Sequence, residues 1–73
     1  MSNAITTEKI ISSWMNVVDY NETTSVAILT MKAGHSYKIY NISPQTHREW
    51  LRAHSTGRYF NRWIRPFHKI ERL

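Results

Sequence analysis

A Ser-Pro pair at positions 43 and 44 divides this chain into two parts with different hydrophobic patterns. Before the pair, three segments rich in β-branched and aromatic residues each predict a β-strand: 10–20, 25–32 and 35–42. A polar cluster, Asn21-Glu22-Thr23-Thr24, separates the first two segments. A short stretch containing Gly34, which can adopt a positive φ without steric cost, separates the second two. Because both connections are short, the strands are expected to form an antiparallel meander.

After the pair, the spacing of apolar residues becomes helical. Ser43 is suited to the N-cap, and Pro44 fits the first helical position, where its missing N–H costs nothing. The pattern predicts a helix over 45–54 that ends within 55–57.

A second helix is predicted over 58–65. Pro66 follows it and has no N–H to continue the helical hydrogen bonds, so the helix should stop or kink there. A proline also disfavours the helical conformation of the residue before it, which is Arg65. Residues 67–73 are expected to form a tail that is extended or irregular.

Together these segments predict an α+β fold: a three-stranded antiparallel β-meander followed by two short helices and a C-terminal tail. We expect residues 1–8 to be a flexible N-terminus and residues 9–73 to form a single domain. A chain of 73 residues can bury only one small core. Phe67 and Ile70 are available to fold back from the tail onto that core.

The net charge is concentrated in the C-terminal part of the chain. Residues 1–45 carry equal numbers of acidic and basic side chains, whereas residues 46–73 carry the whole net charge of +5. Six of the seven cations in that second part are arginines, which pair bidentately with phosphate or carboxylate groups. The partner of this surface is therefore expected to be acidic.

Composition narrows the class of protein further. The chain has no cysteine, so it has neither a disulfide nor a thiolate metal site, which fits a reducing compartment. It also has no apolar run of the length that a bilayer requires, and its N-terminus lacks the pattern of a signal peptide. We expect a soluble, cytoplasmic protein that does not bind membranes.

Residues for catalysis or metal binding are not grouped in this sequence. His47 and His54 share a helix face but lie two turns apart, too far for one ion without an intervening ligand. The sequence has no Gly-rich phosphate loop, no nucleophile elbow and no paired carboxylates. We expect no metal, no cofactor, no small-molecule substrate and no enzymatic activity.

The stretch 55–65, Ser-Thr-Gly-Arg-Tyr-Phe-Asn-Arg-Trp-Ile-Arg, is the most specific motif of the chain. It resembles the closing motif of the KTSC domain family, and the resemblance extends over about residues 11–67. It implies a β-sheet followed by helices but supplies no function. Mainly structural roles are expected for six of the motif residues: Ser55, Gly57, Tyr59, Phe60, Asn61 and Ile64.

Three side chains of this motif have competing interpretations. Ser55 and Asn61 lie near a predicted helix boundary, where such side chains more often satisfy free backbone groups than contact a ligand. Arg65 can bind a phosphate or stabilise the C-terminal end of the helix, and the sequence favours neither role.

A free-standing chain of this size and charge also resembles the short phage-encoded regulators that attach to host RNA polymerase. That resemblance implies bacterial RNA polymerase as a protein partner, with inhibition of transcription initiation and with antitermination. We expect such a protein to act as a monomer. Arginine and aromatic side chains are frequent hot spots of protein interfaces, so the candidate contact residues are Arg58, Arg62, Trp63 and Arg65.

The alternative is direct binding of RNA or DNA. The mixture of cations and aromatic residues favours it, as does the family's association with a tRNA synthetase. Base stacking, however, needs exposed rings. In a chain with so little core material we expect Trp14, Trp50, Tyr59 and Phe60 to be buried, whereas Trp63 is equally suited to burial and exposure.

Overall fold

The structure is a computed structural model that describes residues 5–73. It confirms the α+β class and the antiparallel sheet, but the described residues contain five strands where the sequence predicts three. The strands are β1 (Ile5–Lys9), β2 (Met15–Asn21), β3 (Val26–Met31), β4 (Ser36–Ile39) and β5 (Ile70–Arg72). The helices are α1 (Pro44–Arg52) and α2 (Thr56–Tyr59), and α2 continues into a π-helical turn, Phe60–Ile64, called the π turn below.

The sheet follows chain order, β1-β2-β3-β4-β5, and the predicted meander corresponds to β2, β3 and β4. The β2–β3 turn is stabilised by Asn21, whose Oδ1 accepts hydrogen bonds from the backbone N–H groups of Thr23 and Thr24 at 3.0 and 3.2 Å. Gly34 has a φ of 98° in the β3–β4 turn. Both predicted turns are therefore present.

Side chains of the sheet alternate between a buried face and a more exposed face. Val18 lies opposite Leu29, and Tyr20 lies opposite Ala27, and all four are buried. Burial of these apolar groups supplies the main driving force for folding. The hydrophobic core consists of Ile10, Met15, Val18, Tyr20, Ala27, Leu29, Ile39, Ile42, Trp50, Phe60 and Ile64.

Side-chain caps place the starts of both helices. The Ser43 hydroxyl accepts a hydrogen bond from the backbone N–H of Thr46 at 3.1 Å, which confirms the predicted N-cap. The Ser55 hydroxyl accepts from the backbone N–H of Arg58 at 3.3 Å. The second helix therefore begins two residues earlier than predicted, and Gly57 lies inside it rather than in the stop of the first helix.

The end of the second helix differs from the prediction in one respect. The helix stops before Pro66 as expected, but Arg65 keeps a helical conformation, with φ −54° and ψ −44°. The reason is the wider π turn, in which the Arg65 backbone N–H donates to the Phe60 carbonyl at 2.8 Å. The predicted bias of Arg65 away from the helical region is wrong here.

The N-terminal segment also differs from expectation. The sequence assigned residues 1–8 to a flexible N-terminus, yet residues 5–8 belong to β1, which pairs with β2. Residues 1–4 lie outside the described residues. The first predicted strand, 10–20, begins only at Met15, because Ile10 to Trp14 form the connection between β1 and β2.

The C-terminal tail contains a strand that the sequence analysis did not predict. β5 pairs with β4, and the pairing is flanked by backbone hydrogen bonds from Tyr40 N–H to the Lys69 carbonyl and from Leu73 N–H to the Ser36 carbonyl. Ile70 packs against the core, as the sequence allowed, but Phe67 is 70% exposed and does not fold back.

Candidate interaction surfaces

Three of the four predicted contact residues lie together on the outer side of the second helix. Arg58, Arg62 and Trp63 line one shallow groove, and we call these three residues the basic-aromatic face. Trp63 is 51% exposed. The sequence left open whether this ring is buried or exposed, and the structure shows that it is exposed. The remaining lining residues are Ala53, His54, Ser55 and Tyr59, so the lining contains no acidic side chain.

The arginines of this face are free to bind a partner. Within residues 5–73, the guanidinium groups of Arg58 and Arg62 form no ion pair or hydrogen bond. The Arg62 guanidinium lies 5.3 Å from the centre of the Trp63 ring, close enough for a cation–π contact. That contact holds the cation beside the ring, so the two form one composite contact surface.

Tyr59 lines the same groove and joins the second helix to α1. Its hydroxyl donates a hydrogen bond to Glu49 Oε1 at 3.4 Å. Burial, together with the neighbouring Glu49 carboxylate, raises the pKa of Tyr59, so the hydroxyl stays protonated and remains a donor. Tyr59 therefore links this face to α1 without pairing with either arginine.

The fourth predicted residue, Arg65, lies apart from the other three. It lines a separate cavity of about 540 Å³, which shares no lining residue with the groove of the basic-aromatic face. Asn61 lines this second cavity as well. The strand residues of the cavity, such as Met31 and Ile70, were not predicted as site residues, because no short motif in the sequence links them to the helix.

The motif glycine allows an aromatic ring to approach the helix closely. A Cβ atom built on Gly57 would lie 2.7 Å from Trp14 Nε1, which is too close for a non-bonded contact. Trp14 in turn meets Phe60 edge-on, with ring centres 5.9 Å apart, and Phe60 stacks on Trp50 at 5.7 Å. Gly57 and Phe60 thus connect the second helix to the core, as does the fully buried Ile64.

The distribution of aromatic side chains follows the expected division only in part. Trp50 and Phe60 are buried, whereas Trp14 and Tyr59 are only partly buried against the core. Trp63 is therefore the exposed ring among the five that the sequence analysis considered. A row of rings on which successive bases could stack is not present among them.

His47 has a role that sequence reasoning missed. Its ring is buried and stacks on Tyr20, with centres 4.2 Å apart and planes inclined by 19°. Its Nε2 has no hydrogen-bond partner among residues 5–73. Burial lowers the pKa of His47, because the charged form loses solvation there, and Arg48 lowers it further against an opposing effect of Glu8.

Residues 5–73 contain neither a cluster of metal ligands nor a membrane-spanning helix. No group of three or more histidine or acidic side chains is placed to hold a metal ion. No helix in the same part of the chain is long and apolar enough to cross a membrane.

Comparison with known proteins identifies the family of this chain and a solved structure with the same fold. The model of the KTSC domain family matches residues 11–67, which is most of the chain. The crystal structure of a KTSC domain protein from Yersinia pestis superimposes with a TM-score of 0.85 at 18% identity, covering 96% of this chain and 99% of that one. A comparison with curated protein sequences finds no significant match.

Proposed function

We propose that this chain, which belongs to the KTSC domain family, is a non-enzymatic regulator that binds bacterial RNA polymerase in the bacterial cytoplasm. In this proposal it acts as a monomer, inhibits transcription initiation and promotes antitermination. The observation that carries the proposal is the basic-aromatic face, in which two unpaired arginines flank an exposed tryptophan.

The chemistry of the face suits a protein partner. Tryptophan and arginine are enriched among the few residues that supply most of the binding energy at interfaces. Trp63 offers an apolar anchor, and Arg58 and Arg62 offer forked donors for carboxylates. The matching surface is a segment of the polymerase with acidic side chains around an apolar pocket. The choice of polymerase follows from the resemblance to short phage-encoded regulators.

The proposed mechanism is steric and electrostatic. A protein of 73 residues that occupies an acidic polymerase segment can hinder promoter recognition without any chemical step. If it stays bound during elongation, the same contact can alter termination. The positive charge of residues 46–73 would speed association with an acidic surface and make it dependent on ionic strength.

The test is binding to purified bacterial RNA polymerase, with transcription from a promoter–terminator template as the functional readout. Trp63→Ala should weaken binding roughly tenfold or more, as expected for a hot-spot aromatic. Phe67→Ala is the matched control, because Phe67 is an exposed ring outside the face. That variant should bind normally.

A second pair of variants tests the charge. Arg58→Gln with Arg62→Gln removes two positive charges from the face, whereas Lys9→Gln with Lys32→Gln removes two from exposed positions elsewhere. Only the arginine pair should lower affinity and relieve inhibition. Equal losses in both pairs would mean that net charge, rather than this face, governs binding.

Titration with duplex and single-stranded DNA and with RNA distinguishes the alternative function. Nucleic-acid binding predicts that log affinity falls with log salt by roughly 0.9 for each duplex phosphate neutralised, or 0.7 on single strands. Submicromolar nucleic-acid affinity at physiological salt, without polymerase binding, would replace the proposal by a nucleic-acid-binding module.

A further inference from the structure

The second cavity lies between the sheet and the π turn. Its sheet side is formed by Leu29 and Met31 of β3, Tyr37 of β4 and Ile70 of β5. Trp14 and Phe60 add two aromatic rings. At about 540 Å³ the cavity is within the size range of small-molecule sites, which are lined mainly by apolar and aromatic side chains.

Three polar side chains complete the lining, and none of them is acidic. Asn61, Arg65 and His68 are the polar members, beside the six apolar or aromatic ones. Within residues 5–73, the side chains of Asn61 and Arg65 form no hydrogen bond or ion pair. The cavity thus combines an apolar wall with an uncompensated cation and an unpaired amide.

The hydrogen bond of His68 defines which ring nitrogen is available. His68 Nδ1 lies 2.8 Å from the Tyr40 carbonyl oxygen, which can only accept, so Nδ1 carries the proton. Nε2 has no hydrogen-bond partner among residues 5–73 and is the nitrogen left for a ligand. The ring is therefore oriented by the backbone before any ligand arrives.

The π turn precedes Arg65 and changes its position relative to the basic-aromatic face. In a regular helix, residue 65 would follow 61 and 62 by one turn and continue their stripes. Here the hydrogen bond from Arg65 N–H reaches back five residues to Phe60, which widens the turn. π-helical turns of this kind occur frequently at functional sites.

We infer that this cavity binds a small organic acid whose apolar body, a ring or a branched chain, rests on the sheet and aromatic walls. The Arg65 guanidinium pairs with the acid group, and the Asn61 amide donates a further hydrogen bond. The sign of the ligand charge follows from the lining, which holds a cation and no carboxylate. A small hydrophilic anion would gain nothing from the apolar wall, so a ligand with an apolar body is favoured.

The experiment is a titration of the labelled full-length chain with 3-phenylpropionate, followed by the methyl signals of Leu29, Met31 and Ile70. Saturable shifts of these methyls are expected, with a dissociation constant of about 1 mM for so small a probe. The uncharged amide, 3-phenylpropionamide, has the same ring and should bind roughly tenfold more weakly, because it loses the charge-assisted hydrogen bonds.

Two single substitutions test the role of Arg65. Arg65→Gln should weaken binding of the acid roughly tenfold while leaving the weak binding of the amide unchanged. Arg62→Gln is the matched control. It also removes one positive charge, but Arg62 lies three residues before Arg65 and does not line the cavity. It should bind the acid as the unmodified chain does.

Several results would overturn the inference. Equal affinity for acid and amide would remove the charged group from recognition, and shifts confined to residues of the basic-aromatic face would move the site. Absence of saturable shifts would leave the cavity without this class of ligand. Arg65→Gln should still bind RNA polymerase, so failure of one proposal is distinguishable from failure of the other.

Discussion

The two helices of this protein differ in backbone geometry and in where their side chains lie. α1 is a regular, capped helix that packs Trp50 and His47 into the core. The second helix widens from α2 into the π turn and divides its side chains among three environments. Phe60 and Ile64 enter the core, and Phe60 also forms part of the cavity wall. Arg62 and Trp63 face outward, whereas Asn61 and Arg65 line the cavity, and Asn61 also lies beside Arg62.

The difference shows that a short helix can serve two surfaces when its geometry changes within it. In α1, Ser43 and Pro44 predict where the helix begins, and Trp50 lies on the apolar side that the spacing predicts. In the second helix, the same spacing argument would group Arg65 with Arg58 and Arg62 on one stripe. With the π turn in place, Arg58 and Arg62 line the groove of the basic-aromatic face, whereas Arg65 lines the cavity.

The largest expected contrast is between the tryptophans of the two helices. Trp50→Ala should lower the free energy of unfolding by about 3–5 kcal/mol, because it removes a fully buried ring from the core. Trp63→Ala should change it by no more than about 0.5 kcal/mol, as at most exposed positions. Urea unfolding of both variants measures the two values. Similar losses would contradict the division between a core helix and a surface helix.

Gly57→Ala should destabilise the protein by a smaller amount. The added methyl meets Trp14 at 2.7 Å, which costs about 1–3 kcal/mol as overpacking, offset by roughly 1 kcal/mol of better helix propensity. Denaturant midpoints of Gly57→Ala, Trp14→Ala and the double variant form a cycle. The second helix requires glycine for close approach only if the methyl is tolerated once Trp14 is removed.

The stability of the protein should depend on pH because of the buried histidine of α1, His47. Because the folded protein has the lowered pKa at His47, the unfolded state binds more protons below the ordinary histidine pKa of about 6.5. Stability should therefore fall as the pH decreases from about 7 toward 5. His47→Phe should flatten this decrease. His54→Gln changes an exposed histidine and should leave it unaltered.

The smallest expected effects on stability are those of Arg62→Gln and Arg65→Gln. Both side chains are exposed and lack ion pairs within residues 5–73, so each change should stay within about 0.5 kcal/mol. Thermal or urea unfolding tests this. A larger loss for Arg65→Gln would assign that residue to helix stability, the other role that the sequence allowed.

Local sequence signals predicted the central part of the fold. The Asn21 and Gly34 turns, the Ser43 cap and the alternating strands between them act over a few residues, and the structure contains all of them. The two edge strands were missed for a physical reason. β1 is exposed along its length and β5 spans three residues, so neither has the apolar alternation that marks a strand.

The surfaces depended even more on the tertiary structure. The sequence named Arg58, Arg62, Trp63 and Arg65 as one set because arginine and aromatic side chains are frequent hot spots of interfaces. Their separation accompanies the π turn, in which the Arg65 N–H donates to the Phe60 carbonyl, and no residue type encodes that turn. The cavity likewise needs β5 to pair with β4, a contact between residues more than thirty positions apart in the case of Ile39 and Ile70.

Short-range chemistry in the amino-acid sequence was enough to establish the fold class, the central meander, both helices and the concentration of positive charge in residues 46–73. Turns, caps and amphipathic spacing depend on residues that are close in the chain, so they can be identified from the sequence alone. Packing of the second helix against the sheet decided which arginine faces outward and which one lines the cavity, and packing of α1 against Tyr20 buried His47. Those outcomes depend on contacts between distant residues, which only the assembled core brings together.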